Sequence, residues 1–142
     1  MSIFKKPVRS VIETFVHQSA SDNPLHDDIS IMKKWHLERG FSDVGYHFFI
    51  KSDGTIQPGR SLELIPAAQL GHNTGTIAIC LHGINKSFTT AQFDSLRLLC
   101  KEINKAYNSK MRFRGHKEVF ATQCPHYDYK KELNLNADGY MK

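Results

Sequence analysis

Residues 35–60 read WHLERGFSDVGYHFFIKSDGTIQPGR, and this stretch decides the class of fold. Its first residues close a helix. Asp27 or Asp28 can cap that helix, Ile29, Met32, Trp35 and His36 share a face at helical spacing, and Arg39-Gly40 supplies the glycine on which helices often end. Gly45 to Lys51 (GYHFFIK) then reads as a strand. Ser52-Asp53-Gly54 is a hairpin turn, and Thr55 to Pro58 returns as a short strand. A hairpin pairs antiparallel neighbours, which argues against a purely parallel sheet.

Upstream, Ser10 to His17 (SVIETFVH) is rich in β-formers and reads as a mostly buried strand, with Asn23-Pro24 punctuating the loop after it. Downstream, Arg60 to Leu70 reads as loop with a helical turn. Thr76 to Leu81 (TIAICL) is a continuous apolar run suited to a central strand buried on both faces. Thr89 or Thr90 can cap a long helix to Tyr107, with Phe93, Leu96, Leu99, Cys100 and Ile103 on its buried side. Met111 to Arg114 forms a last short strand, Gly115 to Cys124 a loop, and Tyr127 to Leu133 a terminal helical stretch. Strands interleaved with helices predict an α/β fold: a single domain over residues 1–142 with a central mixed β-sheet flanked by helices.

The chain of 142 residues can bury a real core without cross-links. Hydrophobic residues make up 40% and charged residues 23%, which excludes both a disordered polar chain and a membrane bundle. No apolar run approaches the roughly 20 residues of a membrane span, and Met1 to Val16 lacks the apolar segment of a signal peptide. The net charge of +5 favours polyanions in general. The basic residues are scattered (Lys5-Lys6, Lys33-Lys34, Lys130-Lys131), so no specific nucleic-acid groove is expected. The cysteines, Cys80, Cys100 and Cys124, are odd in number and form no CxxC pair, which argues against a disulfide framework. The expected product is a monomer made in a reducing cytoplasm.

Chemistry concentrates at strand exits. His17 ends the first strand, His116 follows the last one after Gly115, and Cys124 lies in the adjoining loop before Pro125. Two imidazoles and a thiolate are a recognised donor set for catalytic zinc, which keeps one position for water. Spacing alone does not set this trio apart, because eight histidines supply such sets by chance.

Four segments, in order along the chain, carry a family resemblance. Trp35 to Arg60, with Trp-His, Arg-Gly, Asp-Val-Gly-Tyr-His-Phe, Asp-Gly and Gly-Arg, resembles the signature of the type 2 N-acetylmuramoyl-L-alanine amidases and peptidoglycan recognition proteins. HNTGTIAICLHG (residues 72–83) is similar to the family's Asn-x-x-(Ser/Thr)-Ile strand. GHKEVFATQCP (residues 115–125) is similar to its Gly-His loop ending in Thr-x-Cys-Pro, and the strand ending in His17 is similar to its first metal strand. The short chain looks most like the small phage amidases that carry the name lysozyme.

The resemblance implies one zinc ion held by His17, His116 and Cys124 in a cleft at the strand ends. It also implies catalytic roles for Tyr46 and Thr122, with His36 and Asn73 as candidates for binding substrate, although His36 could equally serve only the helix face. The implied reaction is hydrolysis of the amide between N-acetylmuramic acid and L-alanine of peptidoglycan. The implied setting is phage or prophage lysis, with synthesis in the host cytoplasm and action on the wall after release. Three departures bear on substrate details. Pro66-Ala67-Ala68 stands where relatives often have Ala-His-Ala, His72 stands where they have an aromatic residue and is given no ligand role, and Ala121 replaces a proline.

Tyr46 and His47 are adjacent and should face opposite ways, with His47 structural. Cys80 and Cys100 read as core thiols, and His26, His82 and His126 as surface or loop residues. Three rival readings are a peptidoglycan-binding module without hydrolase activity, a Cys/His hydrolase with Cys124 as nucleophile, and a structural zinc protein. The first is disfavoured because Cys124 is present, and the last because no fourth ligand is apparent.

Overall fold

Every residue of Thr76–Leu81 is buried, and the strand it forms lies at the centre of a five-stranded sheet. The computed structural model describes residues 3–84 and 88–142. Along the chain run β1 (Glu13–Gln18), α1 (Ile29–Glu38), β2 (Phe48–Ile50), β3 (Ile56–Pro58), β4 (Thr76–Leu81), α2 (Thr90–Ala106), β5 (Arg112–Gly115) and α3 (Tyr129–Glu132). Single 3-10 turns lie at Pro24–His26 and His116–Glu118. The strand order is β3-β2-β4-β1-β5. β1, β2, β4 and β5 are mutually parallel and only β3 runs antiparallel, against β2, so the sheet is mixed as the hairpin at Ser52-Asp53-Gly54 requires.

Alternation along the strands divides the sheet into two faces. Val16, Ile77, Ile79, Leu81 and Phe113 pack with Leu96, Leu99, Cys100 and Ile103 of α2 into the larger core. Phe49 and Cys80 project from the opposite face onto Met32 and Val44, with Ile29, Trp35 and Tyr46 at the margin. Helices therefore cover both faces. Local chemistry sets their ends: Asp28 caps α1 by accepting from Ser30 N–H, and Thr89 forms a reciprocal capping box with Gln92 at α2. Leu96 is wholly buried under the sheet. Leu96→Ala should lower the unfolding free energy by about 3 kcal/mol, visible as a lower urea midpoint at unchanged slope.

Several sequence expectations change in detail. β2 begins at Phe48 rather than Gly45: His47 still bonds Ala78 O and accepts from Gly59 N–H, whereas Gly45 turns to partners outside the sheet. Gly45 N–H bonds His36 Nδ1, and Ala67 N–H bonds Gly45 O. A Cβ at Gly45 would run into the Ala67 carbonyl, so the close approach demands glycine. Residues 60–70 form turns and no helix. His82, expected as a surface or loop residue, lies in the bend after β4 but is buried: its Nδ1 lies 3.9 Å from Asp27 Oδ1 and its ring sits edge-on to Phe49. Tyr127 and Tyr129 pack into the core. Among the described residues no helix is long and apolar enough to cross a membrane.

Because β1, β4 and β5 are parallel, their C-terminal ends open on one edge of the sheet. That edge is where open α/β sheets place their ligands.

Candidate metal centre

β1 and β5 are paired up to Val16 and Gly115, so the next residues of the two strands, His17 and His116, emerge side by side. Their ring centroids are 4.9 Å apart. The loop after His116 folds back over the strand end. Lys117 N–H donates to Cys124 O at 2.8 Å, and Pro125 Cδ and Tyr129 Cε1 would lie 2.8 and 2.6 Å from any Cβ at Gly115. Glycine there lets the loop bring Cys124 onto the histidines. Cys124 Sγ is 3.7 Å from His17 Nδ1 and accepts from Gln18 N–H at 3.4 Å. One donor atom from each of His17, His116 and Cys124 lies within 4.8 Å of the others. Tetrahedral zinc with bonds of about 2.0–2.3 Å needs ligand separations of about 3.4–3.6 Å. Small side-chain rotations would close the set on one ion.

The electrostatics fit the same ion. Burial, and then the neighbouring His116, push the His17 imidazole down to about 3 against the opposing hydrogen bond from Gln69, and burial also lowers His116. Both rings are therefore neutral and offer lone pairs. Burial pushes the Cys124 thiol up to about 11, partly offset by Gln18 N–H. A thiol raised beside an imidazole lowered is the reverse of an activated Cys–His pair. It becomes a thiolate here only when a cation arrives to compensate its charge. Neutral nitrogens with a soft sulfur suit zinc and do not suit magnesium or calcium. Among the described residues no fourth ligand joins the trio.

Tyr46 stands beside this cluster, its ring 5.3 Å from that of His17 and 5.4 Å from that of His36. Its hydroxyl donates to the Cys80 thiol, and burial first, then the Cys80 and Cys124 sulfurs, hold it well above the usual phenol range. His36 is buried behind Tyr46, its Nδ1 accepting from Gly45 N–H at 2.7 Å. Thr122 Oγ1 accepts from Cys124 N–H at 3.2 Å and so shapes the loop that carries the thiol. Asn73 Oδ1 accepts from the N–H groups of Ala68 and Gln69 at 3.0 and 2.9 Å.

A cleft of about 490 Å³ opens beside the cluster, lined by Asn73 and His116 together with Arg39, Phe41, Leu70 and Phe120. Residues 39, 41, 70 and 120 were not singled out in the sequence. Neither was Gln69, which is fully buried with its Oε1 2.8 Å from His17 Nε2. The only sequence signal for Gln69 was its position next to the departure at Pro66-Ala67-Ala68.

His47 is structural. Its Nδ1 accepts from Ala78 N–H at 3.1 Å, and Nε2 donates to Leu64 O at 2.8 Å. Burial, with Arg9 and Arg60 adding to it, pushes it down to about 4 against the Leu64 bond. His36 is pushed to about 4 by burial, then by Arg39 and Arg60. Both start from an ordinary value of 6.5. Between these values the unfolded chain binds protons that the folded chain refuses. Stability is therefore full above pH 6.5 and falls as the pH drops toward 4. For the metal-free protein, in which His17 adds to the same loss, the drop from about pH 7 to 5 should be on the order of 5 kcal/mol, read from urea unfolding at the two pH values. A flat profile would mean that none of these imidazoles is desolvated.

Comparison with known proteins agrees with this geometry. Residues 6–127 match the sequence family described as N-acetylmuramoyl-L-alanine amidase. The chain is 35% identical over 138 residues to the endolysin of Enterobacteria phage T3, covering 92% of this chain and 91% of that protein. It is 36% identical over 129 residues to the endolysin of Escherichia phage T7, covering 86% and 85%. Among solved structures, the endolysin amidase LysCS from Clostridium intestinale URNW superposes with a TM-score of 0.78 at 28% identity, over 90% of this chain and 86% of that one. A match that spans the first strand, the central strand and the Gly115–Cys124 loop takes in the whole candidate centre, and the chain belongs to the N-acetylmuramoyl-L-alanine amidase family.

Proposed function

We propose that residues 1–142 form one zinc-dependent amidase domain that hydrolyses the amide joining N-acetylmuramic acid to L-alanine in peptidoglycan, and that it works as a phage or prophage endolysin. The observation that carries this reading is the convergence of His17, His116 and Cys124 donors within 4.8 Å, at the mouth of a cleft. His17, His116 and Cys124 would hold the ion. When bound, zinc supplies Lewis acidity, making water a nucleophile near neutral pH and polarising the scissile carbonyl.

The chain's own residues supply the rest. Tyr46 keeps its proton across the working pH range, so it acts as a donor to the carbonyl oxygen as charge develops there. Its resting partner is a thiol sulfur, a weak acceptor that a substrate oxygen readily replaces. Thr122 Oγ1 is already accepting from Cys124 N–H, which leaves its own proton to donate toward the scissile group. Asn73 Oδ1 is committed to the loop backbone, so its Nδ2 is the group left to hold a substrate carbonyl at the cleft. His36, fixed by accepting at Nδ1 from Gly45 N–H, supports Tyr46 from behind.

The apolar walls formed by Phe41, Leu70 and Phe120 suit sugar faces and aliphatic peptide, while Arg39 suits the carboxylates of the stem peptide. Arg39→Ala should raise KM by about fivefold to tenfold with little change in kcat, measured on purified muropeptides.

The setting that fits is synthesis as a monomer in the host cytoplasm and access to the wall after the membrane is breached by a separate protein. The deciding experiment pairs metal analysis of the purified protein with mass analysis of digested sacculi. One zinc per chain, new L-alanine amino termini, loss of activity on chelation and recovery with zinc are expected. A zinc-loaded protein that binds sacculi and leaves every lactyl amide intact would reduce the chain to a binding module.

A further inference from the structure

Gln69 is a polar side chain with no solvent exposure, and each of its amide atoms is spoken for. Thr76 Oγ1 donates its single proton to Asn73 O at 2.8 Å. It must therefore accept from Gln69 Nε2, which lies 2.7 Å away. The second Gln69 Nε2 proton points to His72 O at 3.3 Å, a group that can only accept. These two partners fix which end of the amide is nitrogen, and they leave Oε1 facing His17 Nε2 at 2.8 Å. A carbonyl oxygen cannot donate, so His17 Nε2 must carry the proton. The bare nitrogen of the ring is then Nδ1, the atom 3.7 Å from Cys124 Sγ. The opposite tautomer would set two lone pairs against each other between two buried side chains.

We infer that Gln69 is a positioning residue that locks His17 in the Nε2–H tautomer and so presents Nδ1 to the metal. The lock runs back through the loop. Asn73 receives the Thr76 hydroxyl on its backbone carbonyl, and its side chain holds the N–H groups of Ala68 and Gln69. The loop that departs from the family pattern at Pro66-Ala67-Ala68 thus carries its own device for orienting a ligand. Partners of this kind orient metal-binding histidines and commonly change metal affinity by about 10- to 100-fold when removed. The role of Nδ1 as ligand rests on the proposed metal reading, whereas the tautomer does not.

The test uses the full chain with 15N-labelled histidine. Long-range 15N–1H correlation on the metal-free protein reads the His17 tautomer, and competition with a chromophoric chelator reads zinc affinity. The wild type should show Nε2–H. Gln69→Leu should mix the tautomers and weaken zinc about 10- to 100-fold. Gln69→Glu keeps an oxygen facing His17 Nε2 and, with Thr76 Oγ1 turned to donate to its second oxygen, should keep the Nε2–H proton, a rescue that a mere packing role would not produce. Should the leucine variant fail to fold, Thr76→Val frees the amide to turn and should likewise mix the tautomers. An Nδ1–H tautomer in the wild type, or an unchanged tautomer in either Gln69→Leu or Thr76→Val, would overturn the inference. An Nε2–H wild type that binds no zinc would support the tautomer lock and overturn only the metal reading.

Discussion

Cys124→Ser should yield a folded protein that binds zinc at least about 10³-fold more weakly and releases no measurable muropeptide. The serine hydroxyl is nearly the size of the thiol and can still accept from Gln18 N–H, so the buried loop has no reason to open. The loss is electronic. Cys124 is the one donor in the cluster that can bring a negative charge to the ion, since burial keeps His17 and His116 neutral. A serine hydroxyl does not ionise near neutral pH, and two neutral imidazoles alone hold zinc poorly. Metal content after dialysis, release of soluble wall fragments and the far-ultraviolet circular dichroism spectrum would separate loss of metal from loss of fold. Wild-type turnover by the serine variant would remove the thiolate from the reaction and with it the proposed centre.

The features that could be read from the sequence are those decided locally. Asp28 and Thr89 sit one residue before apolar stripes of helical spacing, and both cap their helices as side-chain acceptors. TIAICL is apolar at every position because β4 is covered on both faces, which is how a central parallel strand must read. The turn at Ser52-Asp53-Gly54 announces the antiparallel pairing of β2 with β3.

Features that depend on chain segments far apart were not legible in the same way. His17 and His116 meet because β1 and β5 pair in parallel to Val16 and Gly115, and nothing near either histidine encodes that pairing. Only the four-segment resemblance joined them. His82 is buried with its ring edge-on to Phe49 and its Nδ1 3.9 Å from Asp27 Oδ1, a placement that no periodicity foretells. Gln69 looked like one more polar loop residue. Its role follows from three oxygens, on His72, Asn73 and Thr76, that become its direct or indirect partners only once the loop has closed. Strand starts were also set from outside the strand. GYHFFI alternates as a strand would, yet Gly45 and Tyr46 are drawn away by His36, Ala67 and Arg60.

Tyr46→Phe should lower kcat by about 10²- to 10³-fold while zinc content and KM stay close to wild type. The substitution removes one oxygen and keeps the ring that packs between His17 and His36, so the metal ligands stay in place. What disappears is a donor aimed at an oxygen whose charge grows only as the amide carbon becomes tetrahedral, and such an interaction appears in kcat rather than in binding. The phenol is held protonated by burial and by the two nearby sulfurs, which argues against Tyr46 as the base that deprotonates water. The acid limb of the pH–rate profile should therefore survive in the phenylalanine variant, displaced downward at every pH. A variant with kcat within about twofold of wild type would mean that no hydrogen bond from this hydroxyl forms in the transition state, and the charge on oxygen would have to be met by the metal and Thr122 alone.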